Sequence, residues 1–528
     1  MSEQTKTAKG LDKFFGISER KSTVGTELLA GITTFLAMCY ILVVNPGQIT
    51  GQLNDELAGI MWPSVFIATA VGAIIGCLLM AFLAKMPLAQ APGMGINATI
   101  GTMIGGSAGF TYGVTFSFAN AMAITLISGV LFLALTVIPC GRDKETGKLI
   151  GIREKIFEGV PASIRTAIPV GIGLFIAFIG MQNSGLVVTN GFTMVSLVDF
   201  TKWSEQTVQW GVFLPEPGIM VSQTIMPAAK TAIVALISLI SIAVFSHFKV
   251  KGSVILGVVV ATIVAIPMGV ADLKVLTGEG GVSWAFWENF ATFFSMDPDK
   301  GGTFFAAFNG FNFPAGSLFT VIVLIITFCM LDMFDTMGTV VGCCANAGLL
   351  DKKGKPINFT KTMLSDSIAT CTGAVLGTST VTTFVESGTG IAAGGKTGMT
   401  ALTVAGLFLC SIFLLPVFAF IPSSAAAGAL MYVGVLMMKN VVKIDFENLK
   451  EAVPAFITIL MMPLAYSITG GIGLGIITYV IINVICYVVD IIKYAVDKKN
   501  EKPVWPVSIV TAVITVFFLI YFFVPSVV

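Results

Sequence analysis

Ala91-Pro92-Gly93-Met94-Gly95-Ile96-Asn97-Ala98 and Gly377-Thr378-Ser379-Thr380-Val381-Thr382-Thr383-Phe384-Val385-Glu386-Ser387-Gly388 are the two stretches on which the fold of this chain turns. Each lies among long apolar runs, yet each is too short and too rich in glycine for an ordinary membrane crossing. Pro92 brings no amide hydrogen and its neighbouring glycines weaken a helix, while the Thr and Val run of the second stretch favours extended backbone. Both are predicted to begin as extended chain and continue as half-helices. Irregular backbone at membrane depth survives only where protein buries it or a watery cavity meets it, and half-helix N-termini offer amide groups to a polar ligand. Glycines also serve simply to let helices approach closely. A matched pair of breaks in the two halves of a chain is the pattern that marks a secondary transporter's binding site.

The surrounding sequence demands a membrane. Of 528 residues 55% are hydrophobic and 11% charged, against about 25% charged in an average soluble domain. A crossing helix needs about 20 apolar residues, and these runs are solidly apolar rather than alternating as barrel strands do. Spans are predicted near 27–45, 62–84, 96–110, 118–139, 161–182, 228–246 and 252–270. After a wetter stretch at 271–316, a second set follows near 317–345, 361–377, 384–393, 399–421, 422–440, 453–467 and 471–491. The two broken stretches are third and tenth in this order. A last run, 504–525, reads either as an additional crossing or as a partly inserted tail.

Basic residues set the orientation, since Lys and Arg gather on the cytoplasmic side. With the N-terminus inside, cytoplasmic loops hold Arg142 to Lys155, Lys249 with Lys251, Lys352 to Lys355, and Lys439 to Lys450, whereas the 271–300 loop holds five acids. Seven spans in each half place the second half in the opposite direction, which makes a 7+7 inverted repeat of an all-α polytopic protein with about 14 transmembrane segments. Faint echoes agree: Val160-Pro161 opens the fifth span and Ile421-Pro422 the twelfth, and hairpins at 228–270 and 453–491 share size and glycine placement.

Carboxylates inside spans cost about 2.5 to 3.5 kcal/mol each on insertion scales and so demand a reason. Asp332 and Asp335 lie in Leu331-Asp332-Met333-Phe334-Asp335-Thr336-Met337-Gly338-Thr339, and positions 332, 335, 336 and 339 share one helical face. Glu386 lies in the second break and Asp366 near the start of the ninth span. Burial favours the protonated form of a carboxyl, and an acid whose proton affinity follows conformation and ligand is what proton-coupled transport requires. The alternative is a polar knot, with Asp335 or Asp366 bonded to backbone amides or threonine hydroxyls. Glu27 reads as a first-turn carboxylate beside a helix N-terminus, and His247, the one histidine, as a structural residue at a span end.

Several motifs in order carry a family resemblance. Leu11-Asp12-Lys13-Phe14-Phe15-Gly16-Ile17-Ser18-Glu19-Arg20, Gly31-Ile32-Thr33-Thr34-Phe35-Leu36 with Asn45-Pro46, and the motifs at 91–98, 331–339 and 377–388 resemble the AzgA-like branch of purine nucleobase permeases, within the nucleobase-cation symporters. The resemblance runs from about 11 to 525 and implies a UraA-type fold of core and gate domains working as an elevator in a homodimer. On that fold, 1–26 is a cytoplasmic N-terminus and 27–140 the first half of the core. Residues 141–316 form the first half of the gate with extracellular loops, 317–421 the second core half, and 422–528 the second gate half with the C-terminal hydrophobic segment. The regions 183–227 and 271–316 exceed a minimal member. Asn97, Asp332 and Glu386 match the family's substrate positions and Asp335 the second acid of its Asp-x-x-Asp motif. Gly95, Thr380 and Phe384 complete the expected substrate site, and Asp332, Asp335, Glu386 and Asp366 the expected proton-coupling set. The function implied is proton-coupled import of guanine, hypoxanthine or adenine through the plasma (inner) membrane.

Residue chemistry points the same way. A purine offers N–H donors and ring acceptors on a flat face; carboxylates accept from the donors, while Asn97 and free amides serve the acceptors. Phe334 and Phe384 are candidates to stack on the ring or simply to pack. An anion carrier on the same fold is the alternative, and it calls for a cation facing the pocket. An enzyme is not expected, since neither an acyl-transfer constellation nor a His-rich metal cluster is present in the sequence, and no cofactor or metal is called for. With 30 basic and 29 acidic residues, no net field invites nucleic acid.

Overall fold

The computed structural model describes residues 10–51, 53–105, 114–142, 149–152, 159–190, 194–203, 207–213, 220–226, 228–277, 284–350, 356–496 and 503–523. A short helix α1 (Leu11–Phe15) leads to α2 (Val24–Met38) and α3 (Ile41–Thr50), two pieces of one crossing interrupted at Cys39 and Tyr40. Next come α4 (Asp55–Leu79), strand β1 (Gln90–Pro92), half-helix α5 (Met94–Ile104) and α6 (Phe118–Val137). Then follow α7 (Ala162–Asn183), α8 (Ala229–His247) and α9 (Ser253–Ala265). Eight helices among the described residues are long and apolar enough to cross a membrane, and four shorter apolar helices, α5 and α9 among them, accompany them.

The second half repeats this order. After a short α10 (Phe286–Phe293) it runs α11 (Leu318–Ala347), α12 (Phe359–Leu376), strand β2 (Val381–Thr383), half-helix α13 (Ser387–Ala392) and α14 (Gly398–Ile412) with a short α15 (Leu415–Ala419). It ends with α16 (Ser423–Met438), α17 (Leu449–Leu464), α18 (Ile468–Val496) and α19 (Ile509–Phe523). Every predicted span has its helix. The Pro echo marks equivalent elements: Pro161 caps α7 and Pro422 caps α16. With fifteen residues, α19 measures only about 22 Å at 1.5 Å per residue, short of the roughly 30 Å hydrocarbon layer.

Local chemistry starts and stops these helices. Asn54 accepts from the Leu57 amide at 2.8 Å to open α4, and Ser117 and Asn120 form a reciprocal capping box at α6. Gly377 ends α12 with φ 87°, where an added Cβ would run into the Thr303 backbone.

Two helical bundles result. In the first, α2 and α4 pack on α14, and α12 packs on α4 and α6; in the second, α7 packs on α16 and α17, with α8 against α9 and α16. Close approach of α7 and α16 rests on glycine, because an added Cβ on Gly173 or Gly434 would press on the other's carbonyl. The bundles touch where α3 meets α16 and where α5 and α11 meet α7.

The long region after α7 departs from an all-helical picture. It contains two antiparallel hairpins, Val187–Asn190 with Met194–Leu197, and Thr207–Phe213 with Met220–Met226. Val208, Trp210 and Val212 alternate with Thr207, Gln209 and Gly211 in Thr207–Phe213, and β-branched and aromatic residues in that pattern suit such a ribbon. The 284–316 region folds back on the first bundle: Asn120 donates to the carbonyls of Gly310 and Asn312, and Thr303 to that of Leu376.

Candidate functional site

The two broken stretches meet each other. β1 and β2 pair antiparallel with Gln90 opposite Thr383, Ala91 opposite Thr382 and Pro92 opposite Val381, all of them buried. The pairing continues at both ends, from the Gly93 amide to the Thr380 carbonyl at 2.8 Å and from the Phe384 amide to the Ala89 carbonyl at 3.0 Å. A two-stranded ribbon satisfies main-chain groups that lipid would leave bare. Extended chain followed by half-helix, as predicted for both, is what forms; that each stretch supplies the other's hydrogen bonds was not anticipated.

Polar side chains from four helices gather on this crossing. Asp366 of α12, fully buried, accepts from Gln90 Nε2 at 2.7 Å, from the Thr336 hydroxyl at 2.8 Å and from the Thr383 hydroxyl at 3.3 Å. It therefore ties both strands to α11. Asp332 accepts from the Thr370 hydroxyl at 2.7 Å, and Asn45 bridges the hydroxyls of Thr69 and Thr378.

Glu386 stands at the start of α13, 4% exposed, and its Oε1 accepts from the Tyr40 hydroxyl at 2.6 Å. Its Oε2 has no hydrogen-bond partner among the described residues. Asn97, fully buried on α5, accepts from the Ser379 hydroxyl, and its Nδ2 likewise has no partner among the described residues. The same holds for the buried hydroxyls of Thr380 and Thr382. Unmatched acceptor and donor atoms thus cluster around one crossing, a costly state unless a ligand or water completes it.

A small cavity of about 10 Å³ is lined by Gly93, Gly95, Ile96, Thr382, Leu331, Asp332 and Asp335, with Ile172 of the second bundle opposite. That volume holds about one water. Gly95, Asp332 and Asp335 are therefore brought together, and Glu386 is an electrostatic neighbour of Asp335. Neither Phe334 nor Phe384 is among the lining residues; both are buried. Sequence reasoning missed Tyr40 and Thr382. The signal for Tyr40 was a phenol inside an apolar span, whose hydroxyl needs a partner when buried; Thr382 lay in the quoted motif with nothing to separate it from its neighbours. Glu27 is in the first turn of α2, yet its carboxylate serves another helix. It accepts from the Lys396 and Thr397 amides and the Thr400 hydroxyl at the start of α14.

Residues 25–208 and 218–474 match the profile of the xanthine/uracil permeases, described as the Permease family. The chain belongs to that family. Its members are transporters rather than enzymes, so this permease is a multi-pass membrane protein built for transport. It is 34% identical to the guanine/hypoxanthine permease PbuO of Bacillus subtilis, over 89% of this chain and 94% of that one. It is 32% identical to the adenine permease AdeP of Escherichia coli, over 91% and 92% of the two chains. Among solved structures, the transmembrane domain of the cyanobacterial bicarbonate transporter BicA is similar in fold, with TM-score 0.52 at 15% identity over 84% of this permease and 97% of that domain.

Proposed function

We propose that this permease imports purine nucleobases, guanine, hypoxanthine or adenine, together with protons across the plasma (inner) membrane, with its N-terminus in the cytoplasm. One observation carries the reading: Glu386 Oε2, Asn97 Nδ2 and the Thr380 and Thr382 hydroxyls are buried without partners among the described residues, and Thr382 lines one cavity with Asp332 and Asp335. Acceptors and donors in that mixture fit a base that presents both on one plane. Gly95, which lines the cavity at the crossing, and Phe384, whose amide pairs with the Ala89 carbonyl, complete the proposed substrate site. Neither cavity wall carries Lys, Arg or His among the described residues, which favours a neutral base over an anion. The proton is exchanged within the set Asp332, Asp335, Glu386 and Asp366, of which Asp366, held by three donors, is the least suited to the exchange.

The first bundle is the moving core and the second the gate, in a homodimer with an elevator motion. A contracted cavity at the crossing, capped by Ile172 of the second bundle, supports this, because substrate must enter and leave by relative displacement of the two bundles. Uptake of labelled hypoxanthine, guanine and adenine into cells stripped of their own carriers tests the function. Accumulation that collapses with a protonophore is expected; uptake no greater than with empty vector ends the reading.

A further inference from the structure

We propose a second station for the base, a vestibule between α3, α5, α7 and α16 in which the Gln48 carboxamide binds it before it reaches the crossing. The proposal rests on the purine reading above and adds a site to it. The cavity measures about 470 Å³, within the roughly 300 to 1,000 Å³ of small-molecule pockets, whereas the cavity at the crossing holds about 10 Å³. In this conformation a base fits the first and not the second.

Gln48 lines the vestibule, is 7% exposed, and neither its Nε2 nor its Oε1 has a hydrogen-bond partner among the described residues. A carboxamide carries two donors and an acceptor side by side, and a buried amide with none of them used is held at a cost. The edge of a nucleobase, an amino group beside a ring nitrogen or a lactam N–H beside its carbonyl, meets donor and acceptor together. Trp62 and Tyr466 line the same space and bring aromatic faces from the two bundles. No charged side chain lines it among the described residues, so the ligand it suits is neutral.

The vestibule leads to the crossing along one helix. Ala98 lines it, and Gly95, which lines the inner cavity, is three residues earlier on the same face of α5, about 4.5 Å along the axis. Gln48 travels with that helix, because α3 and α5 are in such close contact that a Cβ on Gly101 would collide with the Gln48 carbonyl. Gly47 and Gly51 at the far end of the first crossing also line the space, so it opens on the side away from the N-terminus.

Equilibrium binding of labelled hypoxanthine and adenine to the purified full chain in lipid nanodiscs tests this. Glu386→Gln should lose tight binding but keep a weaker saturable site, and adding Gln48→Leu should abolish that site. Gln48→Leu alone should lower uptake at low substrate about tenfold through KM while leaving the maximal rate within twofold. Trp62→Leu should weaken the residual site by a similar factor, and melting curves keep misfolding apart from lost binding. Normal purine uptake with no Gln48-dependent binding in folded protein overturns the vestibule site alone. Absence of both binding and uptake of any purine by the wild type overturns the purine reading with it.

Discussion

Asp366 and Glu386 are buried alike in the same bundle, and their surroundings differ in kind. Three donors from α11 and from both strands converge on Asp366, whereas Glu386 receives one phenol on Oε1 and keeps a second oxygen without a partner among the described residues. Burial by itself does not separate a carboxylate that holds structure from one that waits for a ligand; the count and origin of its donors do. Asp366 welds the crossing of the two broken stretches, and Glu386, at the start of α13, is not enclosed by donors in that way.

The contrast is sharpest at Glu386. Glu386→Gln should reduce purine uptake more than a hundredfold with the melting temperature nearly unchanged, and Asp332→Asn should do the same; accumulation at the wild-type level by either variant removes that residue from the mechanism. Asp366→Asn swaps an acceptor for a donor facing Gln90 Nε2 or Thr336. It should cost about 1 to 3 kcal/mol of stability, seen as a lower melting temperature and a smaller yield of folded protein. An unchanged melt would erase the distinction between the two acids. Tyr40→Phe removes one donor from Glu386 and should cost about 0.5 to 1.5 kcal/mol. Uptake should fall up to tenfold with its pH profile displaced, and an unmoved profile would make the phenol a packing residue only.

Apolar runs, basic loops and the two glycine-rich breaks were legible along the chain because each is a local pattern. The face shared by Asp332 and Asp335 was legible too, since helical periodicity sets it, and both acids do line one cavity. Two features were not. Glu27 was readable as a first-turn acid of its own helix, but the amides it accepts from belong to Lys396 and Thr397. The two hairpins after α7 are short ribbons, and their local patterns are overshadowed by the long apolar runs on either side.

Composition and hydropathy alone determined that this chain lives in a bilayer as two sets of helices, each with one interrupted element, because lipid tolerates little else. Only tertiary structure decided that residues 90–92 and 381–383 serve as each other's strand partner, and which buried acid is enclosed by donors. Hydrogen bonds between segments so far apart in the chain leave no periodicity to read; they exist only once packing has brought the segments side by side.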